Sequence, residues 1–223
     1  PSFTLEDILE NHERLVKRIL PYVSPLKYFD DYIHHGFYPF FLEHRNFSEN
    51  LLKTMNMTTE VDILLIKQIE LKYLSRIKRL FYLLALNGSK APNISTLAGD
   101  IGTSRATVMN YIKYLADARL INIIYPQNQT FPKKPARVMM HNPNLLYAIY
   151  PIQASMQEAM ETMFVNSLWK DHKINQKSRE CQFIVDNTLP FRICDAKSDD
   201  RIRYHKDCFY ARYNTEVGIG NKI

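Results

Sequence analysis

Glycine is scarce in this chain, with 6 in 223 residues. The glycines fall at positions 36, 88, 99, 102, 218 and 220, and none opens a GxxxxGK[ST] loop. The backbone N–H array that cradles a nucleoside triphosphate is therefore missing, and no ATP binding by this chain alone is expected. Cysteine is scarcer still. Cys181, Cys194 and Cys208 are odd in number and form no CxxC pair. That argues against a disulfide framework or a zinc ribbon and predicts reduced thiols in a cytoplasm. No uncharged apolar run reaches the ~18 residues a membrane helix needs, which excludes a helical span and predicts no membrane partner. The chain opens on Pro1-Ser2-Phe3 without a Met start or a signal pattern and stops at Gly220-Asn221-Lys222-Ile223, which predicts a part of a longer protein. What is present supports a folded chain: 46% of the residues are apolar, enough for real cores in one to two domains.

The net charge of +6 is spread unevenly. Residues 1–75 carry 8 Lys/Arg against 11 Asp/Glu, whereas residues 76–141 carry 10 against 2. Residues 142–169 carry 0 against 2, and residues 170–223 carry 11 against 8. One middle segment thus holds more net charge than the whole chain. Such an excess is the footprint of a polyanion partner, because each neutralised phosphate releases a condensed counterion. The competing reading is a solvated basic surface kept for solubility.

Hydrophobic spacing divides the chain into three regions. Residues 4–20 place Leu5, Ile8, Leu9, Leu15, Val16, Ile19 and Leu20 at helical intervals behind Thr4 as N-cap, with Asp7 three positions on and Pro21 as the stop. A second helix over 25–34 puts Leu26, Phe29 and Ile33 on one face, and two more are predicted over 48–57 and 60–71. Residues 1–75 therefore read as a small helical bundle.

The basic middle has a more specific order. A helix over 76–86 precedes a short one capped by Asn93, then a turn at Asp100-Ile101-Gly102-Thr103, then a third helix capped by Ser104 and running to Asp117. Short strands at 120–124 and 136–140 enclose a basic, proline-bearing loop. Helix, short helix, turn, helix and hairpin together make a winged helix-turn-helix over 76–141. In that fold Val108, Tyr111, Ile112 and Leu115 face inward, leaving Arg105, Thr107, Asn110 and Lys113 to face a major groove. Lys133, Lys134 and Arg137 would meet phosphates from the wing. Winged helices also serve as packing modules between protein domains, so a DNA partner is one of two readings here.

Beyond Asn142 the pattern changes. A helix over 156–169 buries Met160, Met163, Phe164 and Leu168 and carries Glu161 at its middle. Strands at 181–185 and 191–194 pair over Asp186-Asn187, and 201–217 adds a helix or a strand. His34 and His35 are neighbours, so on a helix they point about 100° apart and do not chelate one ion. Cys194 in a strand reads as a small buried hydrophobe, and Trp169 as an anchor.

Several pieces carry a resemblance: Tyr32–Phe40, Pro92–Ala98, Thr107–Leu115 with Ala118-Arg119-Leu120-Ile121, Lys134-Pro135, His141-Asn142-Pro143-Asn144-Leu145 and Glu161–Phe164. In order and spacing they resemble the C-terminal half of prokaryotic AAA+ ATPases, in which a helical lid, a winged helix and a degenerate restriction-endonuclease-like domain follow the nucleotide-binding core. The resemblance implies an α+β chain of three parts: a lid-like bundle at 1–75, the winged helix at 76–141, and a truncated endonuclease-like α/β domain at 142–223. It also implies ATP and magnesium as cofactors of the longer parent, none in this chain, and a protein partner for the C-terminal domain.

Departures from the family pattern decide the chemistry expected. A nuclease of that fold holds Mg²⁺ with a helix carboxylate, an Asp on the first strand and a Glu with Lys on the second. Glu161 stands on the helix, but Gln182 and Arg192 occupy the two strand carboxylate positions, and Lys197 remains for the lysine. Such a site repels the cation it should hold, so no metal and no catalysis are expected. Asp186 and Asp195 are substitutes that would restore a metal site. Arg192 is expected to pair with Glu161. The function expected is a non-catalytic region coupling nucleotide state to DNA or protein engagement, with a free-standing winged-helix regulator and a metal-dependent nuclease as alternatives.

Overall fold

The computed structural model describes residues 3–39, 42, 46–66, 69–201 and 203–223. Phe40 and residues 67–68 of the expected 60–71 helix lie outside the described residues. Helix α1 (Leu5–Ile19) starts at a reciprocal cap: the Asp7 amide donates to the Thr4 hydroxyl at 3.1 Å and the Thr4 amide to the Asp7 carboxylate at 3.0 Å. Helix α2 (Pro25–His35) begins on a proline at its first position, where the missing N–H costs nothing. Helix α3 (Phe47–Thr58) does not stop where a separate helix was expected to begin. It widens into a π-helical stretch, Thr59–Ile66, and the buried Thr59 hydroxyl bonds back to the Met55 carbonyl at 2.8 Å.

The middle segment follows the predicted order closely. Helix α4 (Leu74–Leu86) leads to α5 (Ile94–Asp100), whose N-cap Asn93 accepts from the Ser95 and Thr96 amides. Gly102 has φ +63°, a conformation that favours glycine, and lets the chain turn into α6 (Arg105–Asp117). Strands β1 (Ile121–Pro126) and β2 (Arg137–Met140) then pair antiparallel, Ile121 opposite Met140.

Helix α7 (Pro143–Ile149) and helix α8 (Met156–Leu168) follow, the latter behind a Ser155–Glu158 capping box. Strands β3 (Ile174–Gln176), β4 (Phe183–Val185), β5 (Leu189–Asp195) and β6 (Phe209–Tyr213) complete the chain. The turn between β4 and β5 holds Asp186 and Asn187 at positive φ, the tight-turn geometry their residue types favour.

These strands join into one mixed sheet in the order β2-β1-β3-β4-β5-β6. Strand β3, absent from the sequence expectation, makes the join: it runs parallel to β1 through Tyr125–Asn175 and antiparallel to β4 through Asn175–Ile184. Strand pairing therefore crosses Asn142, where the sequence changes character. Packing crosses it too, since Ile33 and Leu51 of the helical region, Leu80 and Leu115 of the middle, and Phe183 and Ile193 of the sheet belong to one buried cluster.

A smaller cluster unites Cys181, Cys194, Cys208 and Tyr210. Cys181 and Cys208 are disulfide-bonded, their Cα atoms 6.2 Å apart, which corrects the expectation of three reduced thiols. The two cysteines precede β4 and β6, the neighbours of β5, so the sheet brings together residues 27 positions apart. The reduced-thiol ground for a cytoplasmic location is thereby removed. Cys194 on β5 is buried beside them, outside the bond. Among the described residues no helix is long and apolar enough to cross a membrane.

Candidate functional site

Helix α6 buries Val108, Tyr111, Ile112 and Leu115 against the core and turns its remaining arc outward, as its spacing predicts. On that arc Arg105 and Asn110 are exposed, and the Thr107 hydroxyl lies 2.9 Å from that of Ser104, the helix cap. Lys113 is half-exposed and engaged with Asp117 one turn on. The loop from Gln127 to Lys134 is exposed throughout, carrying Lys133 and Lys134. Arg105, Lys133 and Lys134 therefore present positive charge to water, while Lys78 and Lys113 of the same segment are engaged by Glu60 and Asp117.

Arg137 departs from this group. Its side chain is 16% exposed and points inward, where it forms an ion pair with Glu161, whose side chain is 6% exposed. The Arg137 Nε also donates to the Ser89 carbonyl at 2.7 Å, and the guanidinium lies 5.1 Å from the Phe183 ring centre. Arg137 is thus withdrawn from the phosphate-facing role expected of it. The reason is its place on β2 beside the α8 packing face, rather than in the exposed loop a few residues earlier.

The ion pair is the centre of a buried polar hub. The Glu161 carboxylate accepts from Arg137, from Gln157 Nε2 at 2.8 Å and from Gln182 Nε2 at 2.9 Å. Gln182 in turn accepts from the Ile193 amide at 2.8 Å, and Gln157 donates to the Ile193 carbonyl at 2.9 Å. The Tyr213 hydroxyl closes the hub on Gln157 at 3.2 Å. Glu161 and Gln182 therefore converge as expected. Gln157 and Tyr213 were not anticipated, although Gln157 sits one helical turn before Glu161 and was within reach of a helical-spacing argument.

Arg192 and Lys197 do not join. Phe191 contacts Phe164 of α8, with ring centres 5.1 Å apart, so strand alternation turns Arg192 to the opposite face of β5. Arg137 takes the place foreseen for it. Lys197 lies exposed beyond the end of β5, where its amide donates to Asp195 at 2.9 Å. The two spare aspartates are occupied as well. Asp186 pairs with His172 at 2.7 Å and accepts from the Lys173 amide at 2.8 Å, contacts that hold its pKa below the usual carboxylate range. Asp195 accepts from Asn214 at 2.9 Å.

A carboxylate with three donors, one of them a guanidinium, has little electron density to offer a divalent cation. Mg²⁺ or Mn²⁺ added to about tenfold excess over the protein should leave the thermal unfolding midpoint unchanged, because a ligand that does not bind cannot shift it. A rise with either ion would assign a metal to this hub.

A second polar group surrounds the end of α6. Arg119 adopts φ +56° and closes the helix by the bonds Arg119 N–H to Ala116 and Leu120 N–H to Leu115, a position where glycine is usual. Its guanidinium lies 5.0 Å from the Trp169 ring centre, and the His141 ring meets the same indole edge-on at 5.3 Å. Burial, and then the charge of Arg119, lower the His141 pKa to about 4. Asn142 caps α7 and donates to the Tyr38 hydroxyl at 2.9 Å, while Asn144 ties α7 to the end of α2 through the Phe37 amide and the Ile33 carbonyl.

Residues 26–154 match the model of a family described as Domain of unknown function (DUF8612), more than half of the chain. The chain belongs to this family. No curated protein and no solved structure matches. The DUF8612 segment opens inside α2 and closes after α7, so it contains the outward arc of α6, both loop lysines and Arg137. Glu161 and Gln182 lie beyond it, and the Arg137–Glu161 ion pair ties the DUF8612 segment to α8 and the sheet that follows.

Proposed function

We propose that this chain is a non-catalytic, nucleic-acid-engaging region of a larger AAA+ ATP-binding protein, with α4 to β2 acting as a winged helix. The observation that carries the reading is the exposure of Arg105, Asn110, Lys133 and Lys134 together, on a segment with 10 basic and 2 acidic residues. The arc of α6 is the element for a major groove, and the lysine loop is the element for the flanking phosphates. The hub around Glu161 supports a structural role for the endonuclease-like end, since its polar groups are spent on one another. In this reading the hub transmits movement of the winged helix to α8.

Fluorescence anisotropy with duplex DNA tests the proposal. With about three to five phosphates contacted, log K should fall against log salt with a slope of about −3 to −4.5. Reversing both lysines, Lys133→Glu with Lys134→Glu, should weaken binding at least about tenfold at low salt and flatten that slope by about 2. Absence of binding at low ionic strength would leave α4 to β2 as a packing module.

A further inference from the structure

Between α3, the α6–β1 turn, the start of α7 and the end of α8 lies a cavity of about 390 Å³. Its polar lining includes Tyr38, Thr54, Thr58, Arg119, His141 and Asn142, and apolar lining comes from Leu51 and Met55. Among the described residues that line it none is a carboxylate, and Arg119 carries the positive charge. We propose that this cavity binds a small phosphomonoester, with the phosphate held by Arg119 and His141 and the organic part against the Phe37 and Tyr38 wall.

Three independent features support that assignment. Arg119 has a left-handed backbone, φ +56°, at a helix end where glycine would relax the chain, and a non-glycine residue in that conformation at a cavity mouth points to a use for its side chain. The Arg119 guanidinium lies over the Trp169 ring, 5.0 Å from its centre, a cation–π contact that restricts a side chain able to bind an oxyanion through two N–H groups. His141 is fixed by Asn122. The Asn122 amide nitrogen donates to the His141 carbonyl at 3.1 Å, so its oxygen faces the ring at 3.1 Å and receives the Nδ1 proton. Nε2 is then the unprotonated nitrogen, an acceptor for a P–OH group or a site for a proton drawn in by a dianion. The volume exceeds the needs of inorganic phosphate alone and matches a small organic ester. The proposal does not rest on the nucleic-acid reading, since none of the α6 or wing residues named for DNA lines the cavity.

Trp169 is the only tryptophan of the chain and touches both phosphate-binding groups, so its fluorescence reports occupancy. Titration with inorganic phosphate and with ribose 5-phosphate, against sodium chloride at equal ionic strength, should give saturable changes for the first two only. Dissociation constants of about 1–10 mM for phosphate and at least about tenfold lower for the ester are expected. Calorimetry on the same pair should show proton uptake, seen as a binding enthalpy that varies with buffer ionisation, and affinity that rises as pH falls from 7. Among the described residues that line the cavity, the titratable and charged groups beside His141 are Arg119 and Tyr38, and neither changes charge in that range. Arg119→Gly is the decisive variant: glycine suits the backbone, so its melting temperature should equal or exceed that of the wild type while ester affinity falls at least about tenfold. Equal affinity in Arg119→Gly, no saturable change with either ligand, or phosphate binding without a gain for the ester would each overturn the assignment.

Discussion

Replacing Arg137 with alanine should lower the unfolding free energy by about 3–5 kcal/mol, the range for removing one partner from a buried ion pair. The Glu161 side chain is only 6% exposed, so water cannot take over the role of the guanidinium. Gln157 and Gln182 remain as neutral donors, which offsets part of the loss. The Ser89 carbonyl loses a bond as well, at the point where the α4–α5 loop meets α8. Gly88 in that loop has φ +62°, and the next residue's amide, that of Ser89, donates to the Glu158 carboxylate at 3.2 Å, so the loop is tied to α8 at a second point. A denaturant titration of Arg137→Ala, Glu161→Leu and the double variant separates the terms. The double variant should be more stable than Arg137→Ala, because the stranded charge is gone. Arg192→Ala, on the other face of the sheet, should change stability by less than about 1 kcal/mol. A large loss there with little at Arg137 would falsify this account of the hub.

Acidification from pH 7 to pH 4 should cost about 3 kcal/mol through His141 alone. Its pKa is lowered to about 4 in the fold, first by burial and then by the Arg119 charge, against an unfolded value near 6.5. Between these values the unfolded chain binds a proton that the folded chain refuses, so stability is complete above pH ~6.5 and is lost as pH falls toward 4. His141→Gln removes the titration and keeps a donor for Asn122. The slope of the urea midpoint against pH should therefore be shallower in His141→Gln than in the wild type. Equal slopes would show that His141 titrates normally. A bound phosphate would reverse part of the effect, because the anion stabilises the protonated ring.

Much of the fold was legible because its signals are local. The Thr4–Asp7 cap, the Asn93 and Ser104 caps and the Gly102 turn are each settled by side chains within four residues of the backbone they satisfy. The hairpin of β4 and β5 likewise follows from Asp186-Asn187 between two apolar runs. Strand β3 was not legible. Ile174-Asn175-Gln176 has one apolar side chain and no alternation to read, and it is a strand because Tyr125 and Ile184 supply its two neighbours from 50 residues before and 9 after. The cavity at Arg119 was illegible for the same reason, since its lining gathers residues from Phe37 to Asn166.

The amino-acid sequence by itself determined the helices capped by Thr4, Asn93 and Ser104, the β4–β5 hairpin, and that the positive charge collects between residues 76 and 141. It also determined that no nucleotide-cradling loop lies in this chain. Tertiary structure alone decided which charges face water and which are spent inside. Arg137 and Lys134 are three residues apart, yet one is buried against Glu161 and the other is exposed, because β2 enters the sheet between them. It decided that Arg137, and not Arg192, neutralises Glu161, because strand alternation sends Arg192 to the far side of β5. It decided that Cys181 reaches Cys208, because β5 sets β4 and β6 on either side of itself. Pairing across a sheet depends on register and face, which neighbours in space impose and neighbours in sequence do not encode.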